Sequence, residues 1–183
     1  SWKLAGVLHG WLPAQVLDTY EQERKPHALK LIRMALAVGR SMTAGGELGN
    51  LVRRFVVPRL PRLPGLSAKL LDSETPALSR SSLVDRPRVA PRRLAGRLIP
   101  NPITAIGTRL DAELGDGFAV VTTRVPDAAL QATIARRGAT LHVAEPGDPG
   151  GNILSHWLTR GRSTAAIIRP DRTVMRAGRD LTR

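Results

Sequence analysis

The chain has 183 residues, no cysteine and a formal net charge of +13, carried almost wholly by arginine, with lysine at only four positions. The missing thiols exclude disulfides, thiolate metal sites and thiol redox chemistry, and His9, His27, His142 and His156 stand too far apart for a metal-ligand spacing. No uncharged apolar run approaches the ~20 residues that cross a bilayer, and Ser1 opens no signal peptide, so a soluble cytoplasmic protein without a membrane partner is expected.

Such a basic balance raises the prospect of an anionic partner. Nucleic-acid binders gather their charge and interleave it with base-reading side chains. Here the arginines run from Arg24 to Arg183 without such a cluster, so a solvated basic surface is the expectation and nucleic-acid binding is not. Only six aromatic residues are present, Trp2, Trp11, Tyr20, Phe55, Phe118 and Trp157. The rest of any core is Leu, Val, Ile and Ala.

Trp2, Leu4, Ala5, Leu8, Trp11 and Leu12 recur at helical spacing, which predicts a buried helix to about residue 9 and a turn over 10–13. Ser1 is the one available cap, and no upstream residues cover the apolar face. Either the helix docks onto later residues of the chain or the chain is the tail of something larger. A second helical pattern runs from Ala14 to about Ser41, with Pro26 inside it expected to kink or restart the helix. Within it Asp18, Glu21 and Arg24 are spaced three apart, and Glu21 with Lys25 makes an i, i+4 pair of favourable order. TAGGEL breaks the pattern, and LGNLVRRFVVPRL resumes an apolar stripe.

Residues 1–71 therefore read as a helical segment. From 72 to 97 proline, serine and arginine dominate and periodicity is lost, as in an extended linker or a meandering surface segment. From 98 to 183 strands and helices alternate. GFAVVTT reads as a buried strand, and DAALQATIARRG as a helix capped by Asp127 and stopped at Gly138. ATLHVAE is a second strand, ILSHWLTR a short helix, and TAAIIRPDRTVMR two strands across a turn at Pro170 and Asp171. This order predicts a small mixed domain, of α+β class with the helical segment, and its layout resembles a thioredoxin-like fold lacking the CxxC pair.

Chemistry-bearing constellations are few. GDPGGN, 147–152, is the one loop that resembles a phosphate cradle, but it lacks the lysine and Ser/Thr of a P-loop. It reads as a surface loop. Ser155, His156 and Asp148 collect the residue types of a hydrolase, yet adjacent Ser155 and His156 on a helix point apart and no nucleophile elbow surrounds the serine. Asp111 and Glu113 share a face of a segment that reads as extended, where acidic residues serve more readily as caps and turn formers.

WKLAGVL followed by LDTYEQERKP resembles a segment of the class A FAD-dependent aromatic monooxygenases, just past their flavin motif. The matching residues are Trp2, Lys3, Leu4, Gly10, Leu17, Asp18, Thr19, Tyr20, Glu23, Arg24, Lys25 and Pro26. GRLIPNP, LDAELGDGFAVV and IIRPDRTVMR resemble the C-terminal domain of the branch containing 3-(3-hydroxyphenyl)propionate hydroxylase and phenol hydroxylase. The resemblance implies FAD and NAD(P)H as the intact family's cofactors and hydroxylation of a phenolic substrate as its reaction. It also implies a C-terminal thioredoxin-like domain that covers the core and contributes to subunit contacts.

The family's GxGxxG and its Gly-Asp-Ala segment have no counterpart in this sequence, and those glycines are what let backbone amides reach a pyrophosphate. The expectation is a C-terminal fragment that is silent by itself and binds neither FAD nor NAD(P)H. No catalytic, cofactor-binding or metal residue is carried over. Its expected partners are a missing N-terminal flavin domain or homologous subunit, with homo-oligomerisation open. The alternative is a free-standing interaction module with a thioredoxin-like fold.

Overall fold

Short stretches rich in β-branched and apolar residues at 119–122, 140–143, 165–168 and 174–178 build one four-stranded sheet in the computed structural model. That model describes residues 2–43, 50, 54–55, 76–85 and 94–179. The strands are β1 (Ala119–Thr122), β2 (Thr140–Val143), β3 (Ala165–Ile168) and β4 (Val174–Gly178), in the spatial order β2-β1-β3-β4. β1 and β2 are parallel, with Val121 opposite His142, while β3 is antiparallel to both β1 and β4. A parallel pair needs a crossover, and the helix Ala128–Arg136 supplies it. Asp127 caps that helix as the sequence predicts, its carboxylate accepting from the Leu130 amide at 2.8 Å.

The helices in chain order are α1 (Trp2–Leu8), α2 (Asp18–Thr43), α3 (Leu110–Leu114), α4 (Ala128–Arg136) and α5 (Pro149–Arg160), with a 3-10 turn at Ala14–Leu17 before α2. α2 runs on through Pro26 without a break in its assignment. Asp111 and Glu113 lie in α3 and not in an extended segment as expected. The Leu110–Leu114 spacing puts two apolar side chains on one helical face, and both are fully buried. The core gathers Leu110, Leu114, Ala119, Val121, Leu154, Leu158, Ala166, Ile168 and Val174. The fold is thus α+β, with one four-stranded sheet, four short helices and the 26-residue α2 among the described residues.

The chain divides into two compact units, Ser1–Lys25 with Ala77–Arg183, and Pro26–Pro76. The first 25 residues group with the sheet and not with the remainder of the helical segment. In the smaller unit the described residues are 26–43 of α2 together with 50, 54–55 and 76, and Leu29, Ile32, Met34 and Leu36 of α2 are exposed. The pattern read in LGNLVRRFVVPRL lies almost wholly outside the described residues, as does the arginine run of 86–93.

Parts of the stretch read as a linker are well packed. Leu78, Val84 and Ala95 form a small apolar cluster of their own. The Asp85 and Gly96 amides donate to the Met175 and Val174 carbonyls, each at 2.8 Å, and the Val174 amide donates to Arg97 at 2.8 Å. The start of β4 is thereby paired, which shortens the free edge open to edge-to-edge association. Gly96 makes this approach possible: its φ is +83°, and a Cβ there would stand 2.8 Å from the Leu78 carbonyl oxygen.

Candidate functional site

α1 turns the opposite way from its hydropathy. Its apolar stripe is the face expected to be buried, but Leu4, Leu8 and Trp11 are 48%, 77% and 50% exposed, whereas Lys3 and Gly6 are buried. The ammonium of Lys3 is what the interior receives. It donates to Thr19 Oγ1 at 2.6 Å and to Glu23 Oε2 at 2.9 Å. Burying a cation is costly unless it is paired and hydrogen-bonded, and α2 supplies both partners from one face.

Glu23 is the centre of the cluster. Besides Lys3 it accepts from Ser81 Oγ at 2.6 Å and from Arg169 Nη1, 3.0 Å from each carboxylate oxygen. Arg169 follows β3 directly and is fully buried. Its Nε and Nη2 clamp the Asp171 carboxylate at 3.1 and 2.7 Å, the bidentate arrangement for which guanidinium is shaped. The Trp2 ring lies under it, with the guanidinium carbon 5.3 Å from the centroid, a cation–π geometry. Trp2 also stacks on Trp11 at 6.4 Å and meets Phe118 edge-on at 5.5 Å.

Two cations and two carboxylates therefore close a buried four-charge network. An open cleft of about 480 Å³ runs beside it, lined by Trp2, Tyr20, Arg24, Pro170 and the four charged residues. Burial pushes the Lys3 ammonium below its ordinary value, against the opposing pull of Glu23. Burial would push Asp171 up, but Arg169, the Trp2 indole and the Thr173 amide together hold its carboxyl below the ordinary 3.8. A carboxyl whose folded value is depressed contributes stability that is complete above its unfolded value and is lost as pH falls through the folded one. Asp171→Asn will therefore lower the stability by a constant amount above the ordinary carboxylate range, and its gap to the parent will begin to narrow only as pH falls below about 4 toward the depressed folded value. Urea midpoints measured from pH 3 to 7 check this.

The residues singled out in the sequence do not converge here. Glu21 and Lys25 pair at 2.9 Å as their spacing predicts, but on an open surface, with side chains 73% and 70% exposed. Asp148 is the N-cap of α5, its carboxylate accepting from the Gly151 amide at 2.7 Å, while Ser155 and His156 lie further along that helix. Asp111 binds Arg172 Nε at 2.8 Å and Asn101 Nδ2 at 2.6 Å, while Glu113 lies 3.2 Å from His142 Nδ1. Arg172, at φ +61°, also reaches the Asp111 and Gly115 carbonyls at 3.0 and 2.6 Å. These contacts tie α3 to β2 and to the β3–β4 turn. Among the described residues no group of three or more His, Asp and Glu could hold a metal ion, and no helix is long and apolar enough to cross a membrane.

GDPGGN is the first turn of α5 with the loop before it; Gly147, Pro149 and Asn152 are exposed as a surface loop would be, while Gly150 and Gly151 are buried. A flavin dinucleotide needs free backbone amides at its pyrophosphate. Here the Gly151 and Asn152 amides already donate to Asp148, the former to its carboxylate and the latter to its carbonyl. The cations of the buried network are likewise matched by carboxylates. This loop and this network do not fit the pyrophosphate.

A family model described as an FAD binding domain matches residues 1–35, the segment that holds Trp2, Lys3, Thr19 and Glu23. The 3-(3-hydroxy-phenyl)propionate/3-hydroxycinnamic acid hydroxylase 2 of Burkholderia vietnamiensis (strain G4 / LMG 22486) is 29% identical over 205 residues, covering 95% of this chain and 37% of its own length. The chain is similar to the class A flavin monooxygenases over most of its length. Two solved structures share the fold of this chain. One is RebC-10x soaked with chromopyrrolic acid and holding 7-carboxy-K252c, with a TM-score of 0.64, 25% identity, and coverage of 98% of this chain and 36% of that one. The other is aklavinone-11 hydroxylase with FAD and aklavinone, with a TM-score of 0.58, 24% identity, and coverage of 96% and 34%. The α+β architecture matches the C-terminal region of the flavin monooxygenases. The chain spans just over a third of the length of the relatives it matches.

Proposed function

We propose that this chain serves as the C-terminal part of an FAD-dependent, NAD(P)H-using monooxygenase that hydroxylates a phenolic compound. The observation that carries the reading is the match to a hydroxylase over 95% of the chain. In such an enzyme FAD supplies the activation of oxygen, one atom entering the ring and the other leaving as water at the expense of NAD(P)H. The 147–152 loop and the buried network offer no cradle for it, so on this reading the flavin is held by a separate N-terminal portion.

The outward stripe of Leu4, Leu8 and Trp11 is the surface on which that portion would sit, because exposed contiguous hydrocarbon marks a docking face. The sheet is read as thioredoxin-like, a reading supported by the order β2-β1-β3-β4 with β1 and β2 parallel and β3 and β4 antiparallel. With no cysteine in the chain, its role would be to cover and brace the flavin portion and to form subunit contacts, in a cytoplasmic enzyme.

Co-expression with the N-terminal two-thirds of the Burkholderia vietnamiensis hydroxylase tests this. The expected result is a yellow complex that oxidises NAD(P)H faster when a phenolic acid is added, whereas the chain alone with added FAD does not. Leu8→Asp will abolish co-purification and leave the chain's own melting temperature unchanged. Failure to associate at micromolar concentration, or substrate-stimulated oxidation by the chain alone, would overturn the division of labour.

A further inference from the structure

Residues 2–25 hold themselves together before they touch the sheet. Lys3 joins α1 to Thr19 and Glu23 of α2, and Trp2 stacks on Trp11 of the connecting turn. Thr19 Oγ1 in turn donates to the Val16 carbonyl at 2.6 Å. The arm so formed meets the rest of its unit at few described polar points: Arg169 and Ser81 both reach Glu23, and Arg24 stands 3.9 Å from Asp171, of which the Arg169 contact is the one made by a fully buried cation. Arg169 Nη1 binds Glu23, its Nε and Nη2 bind Asp171, its face lies over Trp2, and Nη1 also stands 3.4 Å from the Leu83 carbonyl. The Trp2 indole also helps hold the carboxyl of Asp171, two residues beyond Arg169, below its ordinary value.

We propose that Arg169 is a positioning residue, a single buried guanidinium through which the β3–β4 hairpin sets the place of the 2–25 arm on the sheet. The chemistry requires arginine. A lysine ammonium reaching this point could serve Glu23 or Asp171 but lacks the planar fork that serves both, and it stacks less well on an indole. The sheet itself does not depend on this side chain, because its own core is the apolar set of Val121, Leu154, Ile168 and their neighbours. If the chain acts as the C-terminal part of a monooxygenase, the arm belongs to the FAD-binding segment and Arg169 is where the C-terminal sheet fixes it. That consequence rests on the proposed function, whereas hydrogen exchange on the chain involves no flavin and is read independently of it.

The experiment is residue-resolved hydrogen exchange on the full chain, with the Trp2 indole N–H resonance followed in parallel. In Arg169→Met the amides of α1 and of residues 18–25 will exchange at least about tenfold faster, the loss of a charge-assisted hydrogen bond being large enough for that factor. The Trp2 indole will move to the position of a free indole, while β1 and β3 amides accelerate by a clearly smaller factor than those of the arm. Arg169→Lys will fall between the two, since it restores one of the two acid contacts. Unchanged exchange in the arm overturns the proposal. So does a parallel rise in arm and sheet, because the residue would then be a general stabiliser. Should the methionine variant fail to fold, the lysine variant decides between these outcomes by the same comparison of arm with sheet.

Discussion

Glu23→Ala will lower the unfolding free energy of the chain by about 3–5 kcal/mol, the usual result of removing one member of a buried ion pair. The change strands two cations at once. Lys3 and Arg169 are both buried, and Glu23 is the acceptor they share. Of the alternatives, Asp171 already takes two guanidinium donors and Thr19 offers Lys3 only a neutral oxygen. Since whole domains are stable by about 5–15 kcal/mol, the loss takes a large part of the total. Urea denaturation at pH 7 measures it as a lower midpoint with an unchanged slope. Glu21→Ala is the matched control, nearby on the same helix, and will leave the midpoint where it was because its pair with Lys25 is solvated. Equal midpoints for the two variants would show that the network carries no stability.

Gly151→Ala will destabilise by about 3 kcal/mol, the upper end for overpacking a filled site. Helix propensity predicts the opposite sign, since alanine is favoured over glycine inside a helix by about 0.5–1 kcal/mol. Space decides between them. A Cβ at Gly151 would overlap the Glu145 carbonyl oxygen and stand 3.0 Å from the Glu145 amide nitrogen, and one at the neighbouring Gly150 would overlap the Ile103 carbonyl oxygen. These are backbone atoms, which cannot swing aside as a side chain would. The start of α5 is glycine because it lies directly on two other stretches of backbone. A thermal melt will show the loss as a drop of roughly 2–4 °C per kcal/mol. A rise in Tm would mean that the helix start is free to move.

Much of the sheet region is legible in the sequence because its signals are local. The β-branched run at 119–122, the Asp127 cap and the Pro170–Asp171 turn each act over a few residues, and the structure has an element at every one. The short helix over Leu110–Leu114 is not legible. One turn with two acids in it carries too little periodicity to separate from an extended segment, and what holds it is Arg172, far along the chain.

The buried network is hidden for a related reason. Its members, at 3, 19, 23, 81, 169 and 171, come from three stretches of chain, and no pattern of spacing joins them. The sequence holds two clues, a lysine set among apolar residues in α1 and an arginine and aspartate flanking the proline of the hairpin turn. The resemblance of 2–26 to the monooxygenases includes Lys3 and Glu23, but the pair that helical spacing singles out is Glu21 with Lys25, which is exposed. Spacing along a helix identifies neighbours well and depth poorly.

The inverted face of α1 has a consequence for how that helix is oriented. Successive residues are turned by about 100° around a helix axis, so rotating α1 by one position would bring Leu4 inward and swing the ammonium of Lys3 out to water. Hydrocarbon alone favours that rotation. What prevents it is the fixed pair of acceptors on Thr19 and Glu23, so the azimuth of the helix, and with it the set of apolar side chains presented outward, is chosen by its single cation.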